Sequence, residues 1–380
     1  MAENNYAADA AFLSRHTEIV ELSGEGGARV AVAPGYQGRV MTSTLAGGAG
    51  ASFGWLNADF IASGQTDPKF NNYGGEDRFW LGPEAGQFGL WFAKGEPFDM
   101  GHWKTPAGFD RGEFRVTSKE AGSVAMATRF DVSSCAGTAF PCAVQRTVSL
   151  LGPARAAELL GAAAPDGVAM VAFESSNVLT NAGDAVWTRE GGLLSVWILG
   201  QFKPLPRGKV IVPFRHGDDA ELGPKATTDY FGPVPEPRCR IADDHLRFSC
   251  DGQFRSKIGI SPARARPVLG SYDPDAKVLT VVQFNLPPSA AKLPYVNSLW
   301  EIQDAPFAGD AVNSYNDGEE TPGAGQLGPF YEIETSSPAA ELQSGGSITH
   351  VHRTFHFAGE FDALSALSVK VLGVGLAEIG

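Results

Sequence analysis

Hydrophobic and polar positions alternate in short runs along most of the chain, which is the pattern of β-strands. The runs are separated by Gly, Pro, Asn and Asp, the residues that favour turns. We expect strands at residues 28–32, 38–45, 144–151, 168–173, 193–200, 209–214, 278–286 and 348–357. Helical periodicity is expected only near the start, where Asn5 is a candidate cap for a helix over residues 6–16. No strand–helix–strand alternation follows, so the pattern predicts an all-β protein built from large antiparallel sheets.

The domain organisation follows from the same pattern. The 380 residues show no repeat of fixed period and no clear linker. We therefore predict a helical segment at residues 1–20, followed by one large β-sandwich domain at residues 21–380. A split into two domains is the alternative.

Charge and composition restrict the partners of the chain. The net charge is −13, and an acidic surface repels phosphate backbones, so we expect no nucleic-acid partner. No apolar run approaches the ~18 residues of a membrane-spanning helix, so no membrane insertion is expected. Phosphate-cradling glycine motifs are absent from the sequence, and we expect no cofactor. The sequence does not indicate an oligomeric state.

The four cysteines form two local pairs, Cys135 with Cys142 and Cys239 with Cys250. Either each pair forms a disulfide or all four are buried thiols. Disulfides would favour a periplasmic or secreted protein, which is the location we expect. A cytoplasmic location is the alternative.

Three of the seven histidines lie in the expected strand at residues 348–357. Because side chains alternate along a strand, His350, His352 and His356 share one face. We interpret this face as the wall of a ligand-binding cleft. A solvated strand face is the alternative, and we expect no metal because no third ligand is evident from the spacing.

Two glutamates share a face of the preceding strand, at residues 330–338. Glu332 and Glu334 alternate with Tyr331, Ile333 and Thr335. If their face is enclosed, burial and mutual repulsion raise a carboxyl pKa and poise it for proton transfer. A loop at 336–347 joins this strand to the histidine-bearing strand, so we expect the strands to lie side by side, with glutamates and histidines on a shared surface.

Two polar segments complete the candidate chemistry. Residues 71–87 form a loop-like stretch that concentrates Glu76, Arg78 and Trp80 with further carboxylates. This stretch is either a ligand site or an internal salt-bridge network. Residues 312–318 are interpreted as a polar turn in which Asn313 is a candidate donor to a polyol.

The residues from Glu334 onwards resemble the galactose mutarotase-like superfamily, which comprises the aldose 1-epimerases and their relatives. The similar runs are residues 334–339, 342–346 and 349–357, together with Gly74–Arg78 and the Thr180–Asn181 step before Trp187. The resemblance implies a large antiparallel β-supersandwich in an uncharacterised branch of the superfamily. It implies that Glu334 occupies the general-base position and that Arg78 binds substrate.

One departure from the superfamily bears on the reaction. Its members carry a catalytic histidine, the general acid, on the strand after the Thr-Asn step, but residues 193–201 contain no histidine. Either another histidine supplies the acid or the mutarotase reaction is lost.

The sequence thus predicts a carbohydrate-active enzyme of the aldose 1-epimerase type that takes a mono- or oligosaccharide. Glu334 is the expected base and His352 or His350 the expected acid. The expected substrate-binding residues are Arg78, Glu76, Asn313, Trp80, Glu332 and His356. A polysaccharide lyase, a glycoside hydrolase and a non-catalytic sugar-binding protein remain alternatives.

Overall fold

The computed structural model of the protein describes residues 5–378. The first nine strands are β1 Val20–Ser23, β2 Arg29–Ala33, β3 Arg39–Thr44, β4 Arg78–Gly82, β5 Arg115–Glu120, β6 Ser123–Ser133, β7 Ala139–Leu150, β8 Ala169–Asn181 and β9 Ser195–Phe202. They are followed by β10 Leu205–Pro213, β11 Cys239–Ile241, β12 His245–Cys250, β13 Ser256–Ile260, β14 Val268–Asp273, β15 Val278–Phe284, β16 Val312–Asn316, β17 Tyr331–Ser336 and β18 Ser347–Ala358. The α-helices are α1 Tyr6–Ser14, α2 Ala58–Ser63, α3 Ala107–Asp110, α4 Pro153–Leu160, α5 Asp219–Leu222 and α6 Phe361–Val371.

The strands form three antiparallel sheets. The largest has ten strands in the order β11-β12-β10-β14-β15-β18-β8-β7-β6-β5, and the second has five in the order β13-β16-β17-β9-β4. A smaller sheet contains β1, β2 and β3. Every run that was predicted to be a strand overlaps one, and the all-β prediction is confirmed.

The ten-stranded and five-stranded sheets stack face to face. Ile333 of β17 and Val282 of β15 belong to the same buried cluster, and both are fully buried. The contact is also polar, because the Thr335 hydroxyl lies 2.8 Å from a ring nitrogen of His350 and of His352. β17 and β18 therefore lie in different sheets, and the prediction that they lie side by side is wrong.

The N-terminal helix confirms one local prediction. The Asn5 side chain accepts a hydrogen bond from the backbone N–H of Ala8, and Tyr6, Ala10 and Leu13 bury one face. The helix ends at Ser14 rather than at residue 16. Residues 1–4 and 379–380 lie outside the described part of the chain, and the domain division at residue 20 stays a prediction.

The five α-helices that follow α1 in the described part of the chain were not expected from the sequence. In α6 the buried residues Leu364, Leu367 and Val371 recur at helical spacing and join a cluster with Phe355 and Phe357 of β18. This helix covers the odd-numbered face of β18, so the even-numbered face, which carries the histidines, points into the space between the large sheets.

All four cysteines are free, so the interpretation as local disulfides is wrong. Burial raises the pKa of the Cys239 thiol to about 11. The periplasmic or secreted location stays a prediction. Within residues 5–378, no helix is both long and apolar enough to cross a membrane.

Candidate active site

The outward face of the five-stranded sheet collects the polar residues. Directly paired residues on antiparallel strands share a face. Glu332 is paired with Tyr315 on one side and with Gln201 on the other, whereas Glu334 is paired with Asn313 and Leu199. The face opposite to the core therefore carries both glutamates.

Cations reach these glutamates from both edges of the sheet. Arg78 projects from the edge strand β4, and its Nη2 lies 2.7 Å from Glu332 Oε1. Lys257 projects from the opposite edge strand β13, and its Nζ lies 3.0 Å from Glu334 Oε2. The central strand β17 thus carries two buried ion pairs, each formed with a different edge.

Glu334 is the more enclosed of the two carboxylates. It is fully buried, and the indole Nε1 of Trp197 also donates to its Oε2, over 2.9 Å. Its second oxygen, Oε1, has no hydrogen-bond partner among residues 5–378. One oxygen is therefore held by two donors, and the other is left without one.

Glu332 is poised to exchange a proton near neutral pH. Burial raises its pKa to about 7, and the neighbouring charge of Glu334 acts in the same direction, while Arg78 opposes both. Both protonation states are therefore populated at neutral pH, which suits a general acid or base.

A pocket with a cavity volume of about 60 Å³ lies beside these groups, and Glu334 is not part of its lining. Its polar walls include Arg78, Lys257 and Glu332. Its aromatic walls are Phe70, Trp80, Trp103, Trp197, Phe231, Trp300, Tyr315 and Phe330. The guanidinium carbon of Arg78 lies 3.9 Å from the ring centre of Trp80, which holds the arginine against the wall.

Glu84 supplies a third carboxyl group to the pocket. Trp103 Nε1 donates to Glu84 Oε1 over 2.7 Å. Burial raises the pKa of Glu84, which favours its neutral form.

A small polar recess adjoins the pocket, and Lys257 and Trp197 line both spaces. In the recess the Tyr230 hydroxyl donates to Asp310 Oδ2 over 2.6 Å, and Asn313 donates its amide N–H to the Tyr230 oxygen over 3.1 Å. Burial raises the pKa of Asp310 to about 6. Asn313 therefore shares the face of the glutamates but lines the recess rather than the pocket.

The histidines do not face this pocket, contrary to the expectation of a shared surface. His350 and His352 lie between the sheets, bonded to Thr335, and Thr335 occupies the face of β17 opposite to Glu334. Burial lowers their pKa values to about 3 and about 4. The geometry that would make either of them the acid for Glu334 is therefore absent.

His356 and Glu76, which were predicted to bind substrate, also lie on the inner side. His356 Nε2 lies 2.9 Å from Glu76 Oε2, and its Nδ1 lies 2.9 Å from the Thr280 hydroxyl. The Ser43 hydroxyl also donates to Glu76. His356 borders a different cleft, shared with Lys203, so these two residues are not part of the pocket.

The segment at residues 71–87 was interpreted as either a ligand site or an internal salt-bridge network, and different residues of the segment fit each interpretation. Arg78, Trp80 and Glu84 line the pocket. Asp77, by contrast, forms a fully buried ion pair with Arg146, with 2.6 Å between Oδ1 and Nη2. Two sequence expectations were wrong here and nearby, since residues 78–82 and 312–316 are strands rather than loop and turn.

Sequence reasoning missed Lys257, Arg255 and Trp197. A signal for the two cations exists, because Arg255 and Lys257 alternate with Ser256, Ile258 and Ile260 in the period of a strand. No signal in the sequence distinguishes Trp197 from the other tryptophans.

Within residues 5–378, no three His, Cys, Asp or Glu side chains are close enough together to hold a metal ion.

Comparison with models of known families shows which family the chain belongs to. A model of the family of unknown function DUF6786 matches residues 4–380. The chain belongs to this family. No match was found among curated proteins.

Solved structures show which fold this DUF6786 chain has. A proposed aldose 1-epimerase from Escherichia coli K12 superposes with a TM-score of 0.52 at 12% identity, covering 89% of this chain and 98% of that one. A galactose mutarotase-like protein from Lactobacillus casei ATCC 334 gives 0.50 at 10% identity, covering 89% and 100%. A protein from Synechocystis sp. PCC 6803 gives 0.51 at 12% identity, covering 90% and 96%. The galactose mutarotase-like fold is confirmed.

Proposed function

We propose that this chain binds a sugar in the pocket of the five-stranded sheet and transfers protons at its anomeric centre, as an aldose 1-epimerase does. The observation that carries the proposal is the convergence of the Arg78–Glu332 and Lys257–Glu334 ion pairs on one strand beneath aromatic walls.

The composition of the pocket suits a sugar. Aromatic rings stack on the C–H faces of a sugar ring, and charged groups bond its hydroxyls strongly. Arg78 has two donor atoms, Nε and Nη1, that are buried without a partner among residues 5–378. A sugar hydroxyl would supply the acceptor that these donors lack.

The proposed base is Glu334. Its Oε1 would accept the proton of the anomeric hydroxyl, while Lys257 would donate a proton to the ring oxygen as the ring C–O bond breaks. Rotation of the free aldehyde and closure by the reverse steps give the other anomer. Lys257 would then fill the role that the superfamily gives to a histidine, and ionised Glu332 would hold Arg78 in place through their ion pair.

The direct test measures anomer exchange by NMR on a panel of aldoses. We expect wild-type protein to accelerate exchange for at least one of them. Glu334→Gln should slow it at least about 100-fold, because a general base contributes ~10²–10⁴-fold. Glu341→Gln is the matched control, since Glu341 is an exposed partner of Arg189. Near-normal activity of Glu334→Gln would remove this residue from the mechanism.

Glu332→Gln separates the two glutamates. Wild-type activity should change across pH 7, because the pKa of Glu332 is about 7. The variant should lose this inflection while keeping part of its activity. A wild-type profile that is flat between pH 6 and 8 contradicts the role of Glu332.

A non-catalytic sugar-binding protein is the second candidate. It is favoured by the complete burial of Glu334 and by the absence of histidine from β9, where Trp197 holds the carboxylate instead. Calorimetric binding of a sugar, without anomer exchange above the uncatalysed rate, would favour this candidate over the epimerase.

A further inference from the structure

A third cation, Arg255, borders the pocket, and within residues 5–378 its ion pair with Glu320 is a long one. Its guanidinium carbon lies 3.9 Å from the ring centre of Phe231 and 5.5 Å from that of Trp300. Its contact with the Glu320 carboxylate is 3.6 Å long, which is beyond a good hydrogen bond. Its Nη2 approaches only the Met100 sulfur, at 3.7 Å. The rings hold the guanidinium in place, and among residues 5–378 it has no hydrogen bond to an oxygen acceptor.

Arg264 is a buried arginine with a structural role, and its surroundings differ from those of Arg255. Arg264 is fully buried, and its guanidinium donates to the carbonyl oxygens of Gly223, Arg215 and Gly217 and to the carboxylate of Asp219. The fold therefore satisfies a guanidinium where the arginine serves packing. Arg255 lacks such acceptors, although only 14% of its side chain is exposed.

Arg255 differs from the other two cations of the pocket, which have short ion pairs. Arg78 is paired with Glu332 over 2.7 Å, and Lys257 is paired with Glu334 over 3.0 Å. Glu84 has its Oε1 bonded to Trp103 Nε1 rather than to a cation. Arg255 has only the 3.6 Å contact with the partly exposed Glu320 carboxylate, so its guanidinium is open to an anionic ligand in the pocket.

We propose that the sugar carries a carboxylate, as in a uronic acid, and that Arg255 binds this carboxylate. The proposal rests on the sugar-binding function proposed above and narrows its substrate class. A guanidinium matches a planar carboxylate through two parallel N–H···O bonds. A phosphate group also matches a guanidinium, and D-glucose 6-phosphate in the test below distinguishes the two anions.

The test is calorimetry of wild-type protein with matched ligands. The panel contains D-glucuronate and D-galacturonate, their neutral parents D-glucose and D-galactose, D-glucuronamide as the uncharged isostere, and D-glucose 6-phosphate. We expect a uronate to bind about 10- to 100-fold more tightly than its parent sugar and the amide.

Two variants assign the preference to Arg255. Arg255→Gln should reduce the uronate preference to within about threefold while leaving the affinity for the parent sugar nearly unchanged. Arg255→Lys should keep part of the preference, because it retains the charge but not the paired donors. Arg353→Gln is the matched control, since Arg353 has the same 14% side-chain exposure and an ion pair with Glu174 remote from the pocket.

The outcomes are distinguishable. Equal binding of uronate and parent sugar by wild-type protein overturns the carboxylate preference but leaves the sugar site standing. Tighter binding of the 6-phosphate than of either uronate also overturns it. Failure of wild-type protein to bind any sugar of the panel contradicts the proposed function itself. If Arg255→Gln does not fold, the comparison of glucuronate with glucuronamide on wild-type protein still tests the preference for a carboxylate.

Discussion

Glu332 and Glu334 are separated by one residue on β17, yet their surroundings give them different properties. Glu332 lines the pocket and has a pKa of about 7. Glu334 is fully buried, its Oε2 is held by Lys257 and Trp197, and its Oε1 has no partner among residues 5–378. A pair of carboxyl groups in unequal environments can divide proton acceptance and proton donation between them.

The Lys257–Glu334 pair provides a stability prediction at the scale of single residues. Lys257→Met should lower the free energy of unfolding by about 3–5 kcal/mol, because it leaves a buried carboxylate without its cation. Chemical denaturation at pH 7 measures the change. Lys277→Met is the control, since Lys277 pairs with Glu360 at the surface and such pairs contribute about 0–1 kcal/mol. Equal losses for the two variants contradict the account of the buried pair.

At the scale of elements, strand alternation separates the site from the interior. On β17 the even positions carry the glutamates, while Tyr331, Ile333 and Thr335 face the ten-stranded sheet. On β4 Arg78 and Trp80 line the pocket, while Phe79 and Leu81 are fully buried. A shift of one residue in the register of either strand would turn the pocket residues toward the core and the core residues toward the pocket.

Gly74 precedes β4 and lies so close to another part of the backbone that a side chain has no room there. Gly74 has φ 85°, and a Cβ there would lie 2.1 Å from the Trp55 carbonyl oxygen. Gly74→Ala should therefore lower the free energy of unfolding by more than about 3 kcal/mol, since backbone strain and a clash with backbone add.

Gly345→Ala is the matched control for this glycine. Gly345 also has a positive φ, 75°, but nothing lies within 4 Å of the added Cβ. We expect a loss of about 1–2 kcal/mol, from the backbone conformation alone. Thermal or chemical denaturation compares the two variants, and an equal loss in both contradicts the close-approach argument.

Many of the strands and part of the site could be predicted from the sequence, and the reasons are physical. Period-two alternation identified Glu332 and Glu334 correctly as neighbours on one face. It did not reveal which sheet covers a polar face, so the histidines of β18 were assigned to a cleft although they lie in the interior. Residues 312–316 were interpreted as a turn because Asn and Ser favour turns, whereas pairing with β13 and β17 makes them a strand.

At the scale of the whole molecule, the stacking of two large sheets makes the histidines sensitive to acid. Burial lowers the pKa values of His350 and His352 to about 3 and about 4, from an ordinary 6.5. Between pH 6.5 and these lowered values, each histidine binds a proton in the unfolded chain but stays neutral in the folded chain. Stability should therefore fall as the pH falls from 6.5 toward 4, by up to about 1.4 kcal/mol per pH unit for each histidine.

Denaturation at pH 7, 6 and 5 measures this acid sensitivity. Glu332 acts in the opposite sense, because its raised pKa makes the folded state bind a proton more tightly below pH 7. The comparison of wild type with His352→Gln isolates the histidine: the variant should lose less stability between pH 7 and pH 5. A slope that is the same in both proteins contradicts a buried, neutral His352.

The central claim is that a sugar binds on the outward face of the five-stranded sheet. The most direct measurement is a crystal structure after soaking with mixed neutral and acidic monosaccharides. The account predicts a sugar ring in the pocket, bonded to Arg78 and Glu332 and stacked on a tryptophan. Sugar density found only in the cleft beside His356, with the pocket empty, would contradict it.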